Sequence, residues 1–146
     1  MMDLTKIIPV SFFLFAFFYL FINGLLLRKN KIGIIGKSIY KTRFCSLTNL
    51  KTGNSSAYMS KVIITEKYIY FLTNILFYTI SYNIGLLKKI PIEQIKDASI
   101  WEKGKNNQKR IYLELYCGEN FILKCSNQTK LLKLLNDTRS IQIINK

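Results

Sequence analysis

The sequence predicts a mostly β protein: an N-terminal transmembrane helix, followed by an antiparallel β-barrel or sandwich of six or seven strands closed by a C-terminal α-helix. Three observations predict this class. An uncharged apolar run occupies residues 7–27, short runs of Val, Ile, Tyr and Phe separated by turns fill residues 61–125, and leucines at helical spacing follow residue 127. A bent antiparallel sheet with a helix at one end buries such strands and such a helix face in one core.

The apolar run from Ile7 to Leu27 has 21 residues, no charge, and 15 residues that are Ile, Leu, Val or Phe. A helix of that length spans about 30 Å, the thickness of the hydrocarbon core of a bilayer. The run is too long for the core of a signal peptide, Asp3 stands before it, and no A-x-A site follows it. We therefore predict a retained anchor and not a cleaved leader.

The basic residues around this run predict its orientation. Only Lys6 precedes it, whereas six basic residues follow it closely: Arg28, Lys29, Lys31, Lys37, Lys41 and Arg43. The positive-inside rule then places the C-terminal domain in the cytoplasm. Three cysteines without CxxC spacing argue against a disulfide framework or a zinc site and agree with a reducing compartment.

The formal net charge is +14, from 22 Lys and Arg against 8 Asp and Glu, and all of this excess lies after residue 27. Such a field favours anionic partners: phospholipid headgroups, nucleic acid or an acidic protein. An AT-rich genome, which enriches Lys, Ile and Asn, is the alternative explanation for the general excess.

Residues 28–56 form a basic segment beside the membrane. Ser38–Phe44 is β-prone and predicts either a first strand or a strap along the headgroups. Residues 47–60 are rich in Asn, Ser, Thr and Gly, which predicts a loop.

The β-type runs that follow are short and separated by turn residues. Glu66-Lys67 and Asn83–Gly85 predict turns, Pro91 suits a strand end or an edge, and residues 102–109 predict a polar loop. The predicted strands are 61–65, 68–72, 76–82, 86–90, 95–101, 111–116 and 121–125.

The last two predicted strands form a hairpin. Ile111, Leu113 and Leu115 alternate with polar or aromatic residues, which predicts one buried face. We predict Leu113 opposite Leu123 and Leu115 opposite Phe121. After the hairpin a helix is predicted near 127–138, with a buried face formed by Leu131, Leu134, Leu135 and Thr138. The pattern assigns no structure to residues 139–146.

This order of elements resembles the pleckstrin-homology (PH) superfamily, in its bacterial PH and GRAM-like branch. Residues 62–71, V-I-I-T-E-K-Y-I-Y-F, are similar to that branch's strand–T-x-K/R–strand opening, and residues 90–95, I-P-I-E-Q-I, look like its IP-containing segment. The resemblance covers residues 57–138. It divides the chain into an N-terminal extension (1–6), a transmembrane helix (7–27), a basic juxtamembrane segment (28–56), a PH-like domain (57–138) and a tail (139–146).

The resemblance implies a seven-stranded, barrel-like sandwich that binds lipids or proteins and does not catalyse a reaction. Phosphoinositide-binding members of the superfamily carry a basic K-x-R signature in their first hairpin. Here that turn is only Glu66-Lys67, so no phosphoinositide site is transferred to this chain.

The residue content argues against an enzyme. The chain has no His, and we find no nucleophile–base pair, paired carboxylates or metal-ligand spacing. Residues 33–38, G-I-I-G-K-S, resemble the end of a Walker loop, but the first Gly is wrongly spaced and no βαβ unit surrounds it. We therefore expect no catalytic, cofactor or metal site.

The candidate lipid- or partner-binding residues are cations. Some follow the anchor and the others lie on two predicted loops of the domain, which form one docking patch if they share an edge of the sheet and are separate solvated charges if they do not. Trp101, beside the second loop, is either an interface anchor or a core residue. The candidates are Arg28, Lys29, Lys31, Lys88, Lys89, Lys103, Lys105, Lys109 and Arg110.

These observations predict a membrane-anchored binding or scaffold module at the cytoplasmic face of the cell membrane. Its expected partners are the bilayer itself and either anionic phospholipid headgroups or another membrane protein, and a homo-oligomer stays open. An accessory or immunity component of a membrane system is one alternative. A membrane-associated nucleic-acid binder is disfavoured, because aromatic residues are not interleaved with the basic clusters.

Overall fold

The computed structural model describes residues 4–102 and 109–144 and confirms the predicted fold class: mostly β, with one long helix before the sheet and one after it. In chain order the elements are α1 (Leu4–Leu27), a π-helical turn (Arg28–Ile32), β1 (Tyr40–Asn49), β2 (Ser55–Ile64), β3 (Tyr68–Leu72), a 3-10 turn (Ile75–Phe77), α2 (Tyr78–Asn83), β4 (Lys88–Pro91), a second 3-10 turn (Ile92–Gln94), β5 (Ile95–Glu102), β6 (Lys109–Leu115), β7 (Asn120–Lys124) and α3 (Gln128–Ile144).

The seven strands form one antiparallel sheet in the order β4-β3-β2-β1-β7-β6-β5. The two edge strands, β4 and β5, are joined only by the turn Ile92–Gln94. Such a connection bridges at most about 15 Å, whereas six interstrand spacings span about 29 Å in a flat sheet. The sheet must therefore bend strongly, and the bend brings Lys88 on β4 within 3.0 Å of Glu119 in the β6–β7 turn. Pro91 ends the edge strand β4, as predicted.

The predicted loop at residues 47–60 is wrong, because most of it lies in the sheet. β1 runs to Asn49 and pairs with both β2 and β7 at the centre of the sheet. Small polar residues led to the loop prediction, but they alternate with Leu47 and Asn49, which are both buried. Of the two interpretations of Ser38–Phe44, the first strand is therefore correct from Tyr40 onward.

The run at residues 76–82 was predicted as a strand and is helical instead. The side chain of Asn74 accepts a hydrogen bond from the backbone N–H of Leu76 at 3.3 Å and so caps the turn that precedes α2. Tyr78 and Ser81 are its buried residues, and their spacing of three is helical. The capping contact and the burial spacing outweigh the β-prone composition of this run.

The hairpin of β6 and β7 buries the predicted face, but its predicted register is wrong by two residues. Leu113 lies opposite Phe121, and Ile111 lies opposite Leu123. The turn comes one residue earlier than predicted, because the N–H of Leu115 donates to the carbonyl of Glu119 at 2.9 Å. A shift of two residues keeps the same side chains inside, so the burial pattern is unchanged.

The main core lies between the inner face of the bent sheet and α3. α3 packs against β5, β6 and the turn at Ile92–Gln94, and thus covers the corner where the sheet edges approach. It begins at Gln128, as expected, and continues to Ile144, so the residues left unassigned at 139–144 are helical. Leu131 and Leu135 are fully buried in this core.

Leu135→Ala is expected to lower the free energy of unfolding by about 2–5 kcal/mol, because it removes a fully buried side chain and leaves a cavity. Lys133→Ala, on the exposed side of the same helix, is the control and should change stability by less than about 0.5 kcal/mol. Thermal or denaturant unfolding of the full chain in detergent measures both. Equal stability of the two variants would place α3 off the sheet.

A second, smaller apolar cluster lies on the outer face of the sheet. It packs Ile32 from the π-helical turn against Ile63 of β2, Tyr70 of β3 and Tyr78 of α2, with Ile35 half-buried beside them. The segment that leaves α1 is therefore fixed to the outer face of the sheet.

Most of the α1 residues from 11 to 27 are exposed. Among the described residues, Ser11–Ile32 is the one helical span long and apolar enough to cross a membrane, with a mean hydropathy of 1.8. Phe12, Phe13 and Phe15 each expose more than two thirds of their surface, at 72%, 78% and 72%. Contiguous exposed apolar surface of this kind is typical of sites that contact a membrane or another protein.

Candidate anion site at the end of α1

α1 docks on the domain through its last turns. Gly24 is buried, and a Cβ at this position would overlap the backbone carbonyl oxygen of Ile75. A glycine is therefore needed for the helix to approach the 3-10 turn before α2 this closely.

The π-helical turn directly follows α1 and ends at its C-cap residue, Gly33. The N–H of Gly33 donates to the carbonyl of Arg28 at 2.9 Å, and the φ of Gly33 is +70°, a value that favours glycine. Residues 33–39 cross the outer face of the sheet, and the N–H of Ile39 joins Ile64 of β2 at 2.8 Å. This path holds Arg28 near the start of β1 and the end of β2.

A β-bulge in β1 brings further cations to this place. The register of β1 and β2 shifts between Thr42 and Cys45, and Phe44 has a φ of +58°. Tyr40 and Thr42 point inward before the bulge, and Cys45 points inward after it, so Lys41 and Arg43 both lie on the outer face. Their neighbour on β2 is Lys61.

A cavity of about 410 Å³ lies between α1's end, the outer face of the sheet and α2. Its cationic lining residues are Arg28, Lys41 and Lys61, and none of its lining residues is acidic. Most of its other lining residues are apolar or aromatic and include Ile75 and Tyr78. The cavity thus combines cationic with apolar residues, within the volume range of small-ligand sites, about 300–1,000 Å³.

The cations in this cavity repel one another. Partial burial lowers the pKa of Lys61, and the nearby positive charges of Lys41, Arg43 and Arg28 lower it further. Each of these effects disfavours the charged ammonium. An anion in the cavity would neutralise the repulsion, so the arrangement is suited to binding negative charge.

The predicted site residues that follow the anchor are found close to this cavity. Arg28 lines it, and Lys29 is exposed on the same turn. The ammonium of Lys31 lies 5.5 Å from the centre of the Tyr82 ring of α2, a cation–π distance. These residues stay together because the π-helical turn is packed on the sheet.

The other predicted site residues that the structure describes lie on two strands, β4 and β6. Lys88 pairs with Glu119, and Lys89 lies 4.3 Å from the ring centre of Tyr68, both on the edge strand β4. Lys109 and Arg110 belong to β6, beside the opposite edge, where Arg110 lies 5.9 Å from the ring of the half-buried Trp101. Lys103 and Lys105 lie outside the described residues. A role of these six residues in docking remains a prediction.

Sequence reasoning missed Lys61 as a site residue and used Lys41 and Arg43 only to orient the anchor. The alternation around Tyr40–Arg43 signals that the two β1 cations share a face. The proximity of Lys41 and Arg43 to Lys61 depends on the bulge in β1 and on the pairing of β1 with β2. Neither feature can be recognised from the local sequence pattern.

Two of the three thiols belong to the core. Cys45 and Cys125 are buried, and the hydrogen bond that the Cys125 thiol donates to Cys45, together with burial, raises the pKa of Cys125. Cys117 is exposed in the β6–β7 turn. Within residues 4–102 and 109–144, no three His, Cys, Asp or Glu residues lie close enough to hold a metal ion.

Comparison with solved structures identifies the fold. The N-terminal PH domain of Vps36 superposes with a TM-score of 0.54 at 8% identity, covering 75% of this chain and 83% of that domain. The C-terminal domain of an unknown protein from Leishmania infantum superposes with a TM-score of 0.53 at 10% identity, covering 70% of this chain and 84% of that domain. No protein-family model and no curated protein sequence matches the chain. At these identities the likeness shows a PH-like fold and nothing about a ligand.

Proposed function

We propose that this chain is a membrane-tethered binding module. α1 crosses the membrane and holds the PH-like domain at the cytoplasmic face, where its cations bind anionic lipid or an acidic membrane partner. The observation that best supports this function is the docking of α1's end on the outer face of the sheet, with Arg28, Lys41 and Lys61 grouped beside it.

The energetics favour such a role. Each Lys or Arg near an anionic leaflet contributes roughly 1 kcal/mol, and the attraction fades over about 8–10 Å. Cations held by a rigid junction next to a membrane helix stay inside that distance. Cations on a flexible linker would spend part of the time beyond that distance from the leaflet.

Cys117 provides a native reporter of this topology, because Cys45 and Cys125 are buried. A membrane-impermeant maleimide should leave Cys117 unlabelled in intact cells and label it after permeabilisation. Cys117→Ser should abolish the labelling, and the protein should stay with the membrane in alkaline carbonate. Labelling of Cys117 in intact cells, or release by carbonate, would contradict the proposed function.

A further inference from the structure

We propose that the cavity at the end of α1 binds the phosphate group of one anionic phospholipid from the leaflet in which α1 ends. This inference rests on the proposed function and names the ligand class. The cavity is formed by Arg28 of the π-helical turn, residues 35–38, the outer face of β1–β3, Ile75 and Tyr78.

The chemistry of the cationic side fits a phosphate. Arg28 offers a planar guanidinium, which can bind two phosphate oxygens at once, and Lys41 and Lys61 offer ammonium donors. Ser38 adds a hydroxyl to the lining. Three cations with no carboxylate among the lining residues leave a net positive charge, which the single negative charge of a lipid phosphodiester would partly offset.

The apolar side fits a lipid better than a soluble phosphate. Ile35, Ile63 and Leu72 also line the cavity, and Ile75 joins it to the docking point of Gly24. A free phosphate would use only the cationic side. The glycerol and upper acyl groups of a lipid would also cover the apolar side.

The position of the cavity along α1 matches the depth of a headgroup. Arg28 directly follows the last residue of α1, where the uncharged run ends. Phe77 and Ile80, beside the same end of α1, keep 39% and 51% of their surface exposed. Apolar side chains next to a cationic cavity are the arrangement expected at the boundary between headgroups and acyl chains.

The mutual repulsion of the cations supports the same site. Partial burial and positive neighbours lower the pKa of Lys61, so the surroundings of Lys61 disfavour its charged form. Without an anion, the folded state should therefore gain stability as the pH rises through the lowered pKa of Lys61, because the disfavoured charge is then lost. A bound phosphate removes this pH dependence.

The test measures lipids bound to the full-length protein by native mass spectrometry after release from micelles. The variant carries Lys41→Gln and Lys61→Gln. The control carries Lys130→Gln and Lys133→Gln, two exposed lysines of α3, and so loses the same charge. The probes are phosphatidylglycerol, phosphatidylcholine and inorganic phosphate.

We expect the wild type and the control to retain one phosphatidylglycerol each, and the cavity variant to bind it about 30-fold more weakly, because it lacks two cations close to the phosphate. Equal weakening in the control would show diffuse attraction and overturn the proposal. Inorganic phosphate bound as tightly as the lipid would assign the site to a soluble phosphate. Labelling of Cys117 that agrees with the cytoplasmic topology, combined with normal phosphatidylglycerol binding by the cavity variant, would support membrane tethering and contradict the lipid site proposed here.

A second readout separates binding from folding. Lys61→Met should raise the melting temperature in neutral micelles by a few degrees, because it removes a disfavoured charge, and should reduce the stabilisation by phosphatidylglycerol. A higher melting temperature together with a smaller stabilisation by phosphatidylglycerol is expected only if Lys61 serves to bind an anion. A lower melting temperature in neutral micelles would contradict the role assigned to Lys61.

Discussion

Gly24→Ala should detach α1 from the domain. The new methyl group would overlap the backbone carbonyl oxygen of Ile75, and backbone atoms in a packed turn cannot move away as the tip of a side chain can. We expect a loss of about 1–3 kcal/mol in the free energy of unfolding. Faster amide hydrogen exchange should accompany it in the turn before α2, the part of the domain that α1 covers.

Gly36→Ala is the matched control for this substitution. A Cβ at position 36 meets no atom within 4 Å, and its φ does not demand glycine, so stability should change by less than about 0.5 kcal/mol. Similar effects of the two substitutions would show that α1 does not rest on Ile75. The cavity would then lack one of its walls.

Phe121→Ala should have the largest effect on the domain itself, with a loss of about 3–5 kcal/mol. Phe121 is fully buried on β7, lies opposite Leu113, and has its ring 5.5 Å from that of Phe71 across the core. Truncation removes contacts with both halves of the bent sheet. Denaturant unfolding followed by circular dichroism measures the loss.

Tyr116→Ala is the control for Phe121→Ala, because Tyr116 lies in the adjoining turn and exposes 68% of its surface. It should cost less than about 0.5 kcal/mol. The double substitution of Phe71 and Phe121 should show a coupling of about 0.5–1.5 kcal/mol, as two buried rings in contact do. A Phe121 variant no less stable than the Tyr116 variant would contradict the bend that brings β3 and β7 together.

The local sequence pattern was sufficient to predict structure where one face of a helix or strand is buried. The alternation at Ile111–Leu115 predicted the inner face of β6, and the spacing of Leu131 and Leu135 predicted the buried face of α3. The hairpin register was missed because it depends on whether Tyr116 belongs to the strand or to the turn. The turn closes at the hydrogen bond from the N–H of Leu115 to the carbonyl of Glu119, so Tyr116 belongs to the turn.

The sequence pattern predicted the wrong secondary structure where contacts with residues distant in the sequence decide which side chains are buried. Residues 47–60 look like a loop because the polar face of a central strand resembles one. Residues 76–82 look like a strand until the cap of Asn74 and the docking of α1 are known. The cationic cavity belongs to this second group: Arg28 was identified from its place beside the anchor, whereas Lys41 and Lys61 meet it only in the folded sheet.

The central claim is that α1 spans the membrane and holds the cationic cavity among the headgroups. The most direct measurement attaches a fluorophore to Ser38→Cys, on the cavity wall, in full-length Cys117→Ser protein in nanodiscs, with Lys133→Cys on α3 as the control. Lipids with a nitroxide on the headgroup should quench the label at position 38 strongly and the label at position 133 weakly. Equally weak quenching at both positions would place the cavity away from the membrane and contradict the claim.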